Sequence, residues 1–400
     1  MNAPHTTHTT STIPTFPSRL PNVGTTIFTV MSALAAQKGA VNLGQGFPDF
    51  NCDPRIVDAV SDAMREGHNQ YPPMAGLAPL RQALSDKIAN LYGRRYDADS
   101  EITVTAGATQ ALLTAILCTV HPGDEVIVVE PTYDSYLPSI ELAGGKPVFV
   151  TLDAPDYTIP FDRLAAAITP RTRLLLINTP HNPTGTVWRA EDMQKLEDIV
   201  RGTNVLILSD EVYEHMVYDG APHESVARYP ELAQRSFVVS SFGKTYHVTG
   251  WKIGYVAAPA ALTAEFRKVH QFNVFTVNTP MQHALAAYLA DPRPYLDLPA
   301  FYAAKRDRFR AGLAGTGLAL LDSEGSYFQC VDYGALAAHR ARSDLDFCSW
   351  LTTEAGVAAI PLSAFYDAGV EQRVVRFCFA KRDATLDDAT QRLRRALAGA

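Results

Sequence analysis

The sequence predicts an α/β protein: a large domain on a mostly parallel seven-stranded sheet covered by helices, followed by a smaller α+β domain. Three observations carry this. Between about residues 100 and 258, short Val-, Ile- and Leu-rich runs alternate with longer helix-compatible stretches, the order expected of parallel strands joined by helices. Beyond about 290 the alternation stops. Chemically suggestive residues also recur just after the apolar runs, where a parallel sheet gathers its ligand-binding loops.

Residues 1–20, rich in Thr, Ser, Pro and His, are expected to form a flexible arm; they lack the charged start and apolar stretch of a secretory signal. Residues 21–50 form an N-terminal segment expected to pack with the small domain. The large domain is assigned to 51–290. Its strands are expected at 102–105, 125–129, 147–150, 173–178, 205–209, 236–240 and 253–257, each a short β-branched or Leu-rich run. Residues 108–120 carry Ala, Leu and Ile at helical spacing, and 191–201 opens on acidic residues suited to a helix N-terminus. The small domain, 291–400, is expected to hold a long charged helix around 302–314, strands near 327–331 and 374–379, and a final Arg-rich amphipathic helix.

A chain of 400 residues with 47% hydrophobic and 19% charged content is an ordinary globular composition, large enough for two or three domains. The net charge of −7 and the lack of a long Lys/Arg run leave no basic footprint for nucleic acid or an anionic membrane surface. No apolar run approaches the ~20 residues that span a bilayer. Small-molecule partners are therefore expected. Five widely spaced cysteines (Cys52, Cys118, Cys330, Cys348, Cys378) show no Cys-x-x-Cys pair or zinc-like spacing, and are read as buried free thiols in a reducing, cytoplasmic compartment.

Lys244 follows the apolar run Phe237-Val238-Val239 and sits among small and aromatic neighbours, where an ammonium would be poorly solvated. Desolvation favours the neutral amine, which can condense with an aldehyde. Gly243-Lys244-Thr245 also resembles the end of a phosphate-binding P-loop, but that motif needs glycine at 238, where this chain has Val238.

Three more segments fall at expected strand ends: Gly107-Ala108-Thr109, Asn178 to Gly185, and Asp210 to Tyr213. The first opens a helix with small residues, so its free amides and the helix dipole would suit a phosphate dianion, with Ser241 and Lys252 adding a hydroxyl and a cation. Asp210 ends a buried strand and needs a partner: a structural Arg, a helix N-terminus, or a protonated ring nitrogen. Tyr213 and Asn182 would offer a phenol and an amide to an oxygen of that ring. Arg376 interrupts the apolar run Val374 to Phe379, either as half of a structural ion pair or as a bidentate clamp for a substrate carboxylate. No metal site is expected, since no His-Glu-x-x-His pattern occurs, and neither a nucleophile elbow nor a dinucleotide fingerprint is present.

Together Asn182-Pro183-Thr184-Gly185, Asp210-x-x-Tyr213 and Ser241-x-x-Lys244 with Lys252 resemble the fold type I, class I/II pyridoxal-phosphate aminotransferases, from about residue 20 onward. Leu43 to Phe50, Glu130 to Tyr136 and Lys244 to Lys252 resemble the kynurenine aminotransferase/glutamine transaminase K group, most closely its bacterial methionine aminotransferases. The resemblance implies pyridoxal 5′-phosphate bound covalently to Lys244, with Asp210 on the ring nitrogen, Tyr213 and Asn182 on the ring oxygen, and Tyr133 stacked on the ring. It places Gly107, Ala108, Thr109, Ser241 and Lys252 at the phosphate, with Tyr71 reaching in from the second subunit of a homodimer. Gly46, Asn182 and Arg376 would bind the substrate carboxylate, and Phe28 and Phe275 would line the side-chain pocket. The implied reaction moves the amino group of methionine, or of an aromatic or glutamine-like amino acid, to a 2-oxo acid. Lys252 departs from the arginine of many members. Thr276 stands where mammalian members carry histidine, which argues against kynurenine as the preferred donor. Cysteine-conjugate β-lyase activity would use the same lysine, whereas a cofactor-sensing DNA-binding regulator would need a basic recognition helix that the segment before the family match lacks.

Overall fold

The structure, a computed structural model, describes residues 16–398. Residues 1–15 of the expected arm lie outside the described residues; 16–20 carry no helix or strand and are largely exposed. The strands, in chain order, are β1 (Val41–Asn42), β2 (Ile102–Thr105), β3 (Glu125–Glu130), β4 (Lys146–Thr151), β5 (Thr172–Asn178), β6 (Leu206–Asp210), β7 (Ser236–Ser241), β8 (Gly254–Ala257), β9 (Ala319–Leu320), β10 (Phe328–Asp332), β11 (Val357–Ala358), β12 (Ile360–Pro361) and β13 (Val374–Cys378).

Seven of these make one sheet in the order β2-β8-β7-β6-β5-β3-β4. All seven expected strands are present, with no end shifted by more than one residue. Alternate side chains leave opposite faces of a strand, and in this sheet both sets are apolar. Leu174 and Leu176 of β5 enter one core, with Val126, Val128 and Leu208, while Leu175 and Ile177 enter the other, with Ile127 and Ile207. A sheet buried on both faces needs helices on both. The helix Ala108–Thr119 covers the first core through Ala111, Leu112, Ala115 and Ile116. The helices Ala78–Tyr92 and Ala190–Val200 cover the second.

One strand breaks the parallel order: β8 runs antiparallel to both β2 and β7. The carboxyl ends of β2, β5, β6 and β7 still share one edge, because the reversal on either side of β8 restores the direction of β2. The same reversal brings the beginning of β8 to that edge, and with it Lys252.

Strands β12-β13-β10-β9 form a second, antiparallel sheet with β13 inside it, and β1 runs parallel to β11. The long helix is Leu298–Gly312 and the last is Asp383–Ala396. Met31 and Leu43, from the N-terminal segment, are buried in the same apolar cluster as Phe309, Val375 and Leu393. The cysteines are all free thiols; Cys330, Cys348 and Cys378 are buried, but Cys52 and Cys118 are only half-buried. Among the described residues, no helix is long and apolar enough to cross a membrane.

Gly254, the first residue of β8, is packed against both β7 and the start of the helix at Ala108. A Cβ there would lie 2.7 Å from Ser240 O and 3.1 Å from Ala108 N. Gly254→Ala must therefore push β8 off β7 or shift the start of the helix at Ala108. We expect a loss of about 1–3 kcal/mol in chemical denaturation; an unchanged midpoint would show that this edge tolerates displacement.

Candidate active site

The shared edge of the large sheet, together with Arg376 and the 44–47 loop, encloses a cavity of about 320 Å³. Its walls include Phe28, Gly46, Gly107, Ala108, Thr109, Tyr133, Asn182, Asp210, Tyr213, Ser241, Lys244, Lys252 and Arg376. These residues are spread over nearly the whole chain.

Asp210, at the end of β6, is buried and accepts a hydrogen bond from Tyr136 Oη at 2.6 Å, with Val212 N–H at 3.3 Å on its other oxygen. Burial pushes its carboxyl up to about 6, against the opposing pull of Tyr136. The turn that follows splits its side chains between two environments. Asp210 and Tyr213 line the cavity, while Glu214 faces a buried cluster in which it accepts from Lys87 Nζ at 2.7 Å, Ser240 Oγ at 2.6 Å, Tyr92 Oη at 2.5 Å and Tyr255 Oη at 2.9 Å. Glu211 accepts from Ser209 Oγ at 2.8 Å and from Val226 N–H at 3.1 Å. So many fixed partners give the turn one conformation.

Ser241 caps the short helix Phe242–Thr245, its Oγ accepting Gly243 N–H at 3.1 Å, and this turn aims Lys244 into the cavity. Lys244 Nζ donates to Tyr327 Oη at 2.9 Å and to Gly46 O at 3.2 Å. Burial pulls its amine down to about 8, partly opposed by negative groups that include Asp210. At that value half the amine is neutral near pH 8, where an unperturbed lysine is less than about 1% neutral.

Opposite the sheet edge, Arg376 lies on the interior strand β13 and is 1% exposed. It forms no ion pair among the described residues. Its Nη1 donates to Asn182 Oδ1 at 2.6 Å, its Nη2 donates to Gly44 O at 3.0 Å, and its Nε has no partner. The guanidinium stands 3.9 Å from the Phe328 ring centroid and 4.9 Å from that of Phe365. Because a guanidinium only donates, Asn182 must turn its oxygen toward Arg376, which frees its amide N–H₂ for the cavity. The Asn182 backbone is pinned by Asn178, whose Oδ1 accepts Asn182 N–H at 2.8 Å and whose Nδ2 donates to Asp210 O at 2.8 Å. Gly46 is glycine for space, since a Cβ would sit 3.0 Å from Phe328 Cζ.

The helix at Ala108 begins with Gly107 at φ 79° and has no side-chain cap. Lys252, at φ 55°, brings its Nζ to 3.5 Å from the Cβ position of Gly107. An uncapped helix start beside a lysine and a serine hydroxyl is a cradle for a dianion.

The aminotransferase class I and II family matches residues 38–393. The chain belongs to the class I and II aminotransferases. It is 50% identical to the methionine aminotransferase of Escherichia coli over 94% of this chain and 97% of that protein. It is 43% identical to a probable N-succinyldiaminopimelate aminotransferase of Mycobacterium tuberculosis, over 94% and 97%. With a kynurenine–oxoglutarate transaminase of Rattus norvegicus it shares 36% identity, over 93% and 88%. A solved structure of an E. coli methionine aminotransferase superposes with a TM-score of 0.93 at 49% identity, covering 96% of this chain and all of that one. The architecture is that of fold type I aminotransferases.

Two expected site residues of this aminotransferase stand apart from its cavity. Tyr71 is 82% exposed and Phe275, at φ 66°, is 43% exposed; their rings meet edge to face at 5.5 Å. Phe275 thus does not line the side-chain pocket of its own chain. Several residues that the sequence reading did not assign are at the centre of the site. Tyr136 holds Asp210, Tyr327 holds the Lys244 amine, and Phe328 lies under Arg376. Asp134 also lines the cavity; burial raises its carboxyl, while Arg376 favours its charged form. The signal for Tyr136 and Tyr327 would have been a phenol close to an expected strand, since a buried hydroxyl needs a partner.

The low value of Lys244 is directly measurable. Modification by an amine-directed reagent, followed by peptide mapping, should rise at Lys244 through about pH 8, while exposed lysines respond at higher pH. Because the Asp210 carboxylate favours the charged amine, Asp210→Asn should move the Lys244 midpoint lower. An upward move would mean that Asp210 does not act on this amine.

Proposed function

We propose that this aminotransferase holds pyridoxal 5′-phosphate in the 320 Å³ cavity and takes the amino group of L-methionine, or a similar apolar or aromatic donor, to a 2-oxo acid. The observation that carries the reading is Arg376: a buried guanidinium with no carboxylate, an unpartnered Nε, and an amine and an acid in the same chamber. A cation so placed is balanced by an anion that arrives with the substrate.

The residues fit the cofactor on the chain's own geometry. The uncapped start at Ala108 and Thr109, with Ser241 and Lys252, would hold the phosphate; Asp210 would face the ring nitrogen; Tyr213 and Asn182 would hold the ring oxygen; Tyr133 would cover the ring; Lys244 would be the covalent attachment. Bound there, the cofactor supplies an electron sink for negative charge developing at the substrate Cα. Arg376 and Gly46 orient the donor by its carboxylate. Lys244, once its amine is free, is the group placed to take the Cα proton, and its value near 8 suits a base that works close to neutrality. Asp210, held by Tyr136, supplies negative charge at the far end of the ring site.

The preference for methionine is supported by 50% identity to the E. coli enzyme of that name and by Phe28, Phe47, Phe328 and Leu112 in the cavity wall. The exposure of Tyr71, Phe272 and Phe275 supports a homodimer in which Tyr71 completes the partner's phosphate site. Five free thiols support a reducing, cytoplasmic setting.

Adding L-methionine alone to the purified, cofactor-loaded protein should convert the cofactor's absorption, and a 2-oxo acid should reverse the change. Lys244→Ala should abolish both directions. A spectrum indifferent to methionine but responsive to phenylalanine would move the donor class. Arg376→Ala should weaken donor binding by about 2–5 kcal/mol; unchanged donor affinity would assign Arg376 a purely structural part.

A further inference from the structure

Lys381 is a second buried cation without a carboxylate. It is 3% exposed and forms no ion pair among the described residues. Its Nζ donates to Phe47 O at 2.6 Å and to Gln45 O at 3.2 Å, and stands 5.2 Å from the Phe47 ring centroid. The neighbouring Lys305, by contrast, has Asp383 at 3.0 Å and also donates to Lys381 O at 2.8 Å. Lys381 lies outside the cavity wall, three residues past the end of β13.

The loop it grips is the one opposite the sheet edge, and every carbonyl from 44 to 47 is engaged by a side chain. Gly44 O takes Arg376 and Gln45 O takes Lys381, while Gly46 O takes Tyr327 and Lys244, and Phe47 O takes Lys381 again. Asn42 Oδ1 accepts the N–H groups of Gly44 and Gln45, at 3.0 and 3.3 Å. Carbonyls thus point in alternation toward the cavity and away from it, and the outward pair converges on one ammonium. With that ammonium removed, two part-buried carbonyls would lose their side-chain donor and the half-exposed Phe47 ring, which forms part of the cavity wall, would lose its support.

We propose that Lys381 is a positioning residue for the amino donor: by tying the carbonyls of Gln45 and Phe47 from behind, it sets Gly46 and the Phe47 ring at the distance from Arg376 that an amino acid fills. This rests on the reading above, that the donor's carboxylate is held by Arg376 and Gly46. Nothing in it touches the phosphate cradle or Asp210, so its signature is a change in donor saturation with the limiting rate and cofactor retention preserved.

The test is the half-reaction of the cofactor-loaded enzyme with L-methionine, followed by the absorbance change as donor concentration is varied. In Lys381→Met the half-saturating concentration should rise about tenfold or more, with the limiting rate held within about threefold. Hydrogen exchange over 43–49 should quicken while β2 stays protected, and Lys381→Arg should recover much of the loss. Should the Met variant fail to fold, Lys381→Gln, which keeps an N–H donor without the charge, is expected to show a smaller rise of the same kind. Arg376→Ala serves as the control for the underlying reading. If Arg376→Ala raises half-saturation and the Lys381 variants do not, or if they lower only the limiting rate, the positioning role is overturned and the carboxylate reading stands. If neither residue affects half-saturation, both fail together.

Discussion

The site is organised around an uncompensated buried charge. Placing Arg376 on an interior strand without a carboxylate costs several kcal/mol of desolvation, offset only in part by two hydrogen bonds and the aromatic faces of Phe328 and Phe365. Each of those offsets constrains something else. The bond to Asn182 fixes which way that amide points, and the bond to Gly44 O fixes the loop that carries Gly46. The Phe328 ring beneath the guanidinium is also the one that a side chain at Gly46 would crowd. A neutral residue at 376 would relax all three. The charge therefore does structural work in its own chain while remaining unsatisfied enough to bind an anion.

The opposite wall obeys a different constraint, the geometry of a sheet edge. Ligand groups from β2, β5, β6 and β7 meet because parallel strands end together, and Lys252 joins them because β8 runs the other way. The reversal lets a cation arrive at the start of a strand beside the start of a helix, without a crossover between them. At Gly254 a Cβ would collide with the β7 backbone. Beneath the edge, Glu214 takes up four donors, so the turn carrying Asp210 and Tyr213 is anchored from the face away from the ligand.

Much of this was legible in the sequence. The apolar runs announced every strand of the large sheet, and the residues after them marked the site, because strand ends in such a sheet have little freedom to be anywhere else. The direction of β8 was not legible in its composition, since an apolar strand buried on both faces reads the same either way; the short link 242–253 was the available hint, as a parallel crossover usually needs more chain. Tyr136 and Tyr327 escaped because an aromatic close to a strand reads as core, and only the fold reveals that each hydroxyl meets a charged group. Lys381 escaped for the opposite reason: a lysine just past a strand reads as solvated surface. Phe275 stands exposed beside Tyr71, and a likeness in sequence does not say which chain's cavity such a residue reaches.

The two perturbed groups in the cavity also account for each other. Asp210 is raised to about 6 and Lys244 lowered to about 8 by the same burial, and each carries part of the other's compensation. Near neutral pH this leaves a largely ionised acid and a largely protonated but easily neutralised amine in one chamber with Arg376 and Lys252. The chamber therefore holds positive charge at two separated points, the helix start and β13, together with a deeply buried acid, Asp210. A ligand that matches this pattern carries two anionic groups and one cationic or protonatable group. The phosphate and pyridine nitrogen of the proposed cofactor and an amino-acid carboxylate would supply those three features, and Lys244 lies where its neutral form would be needed once the charges around it are paired.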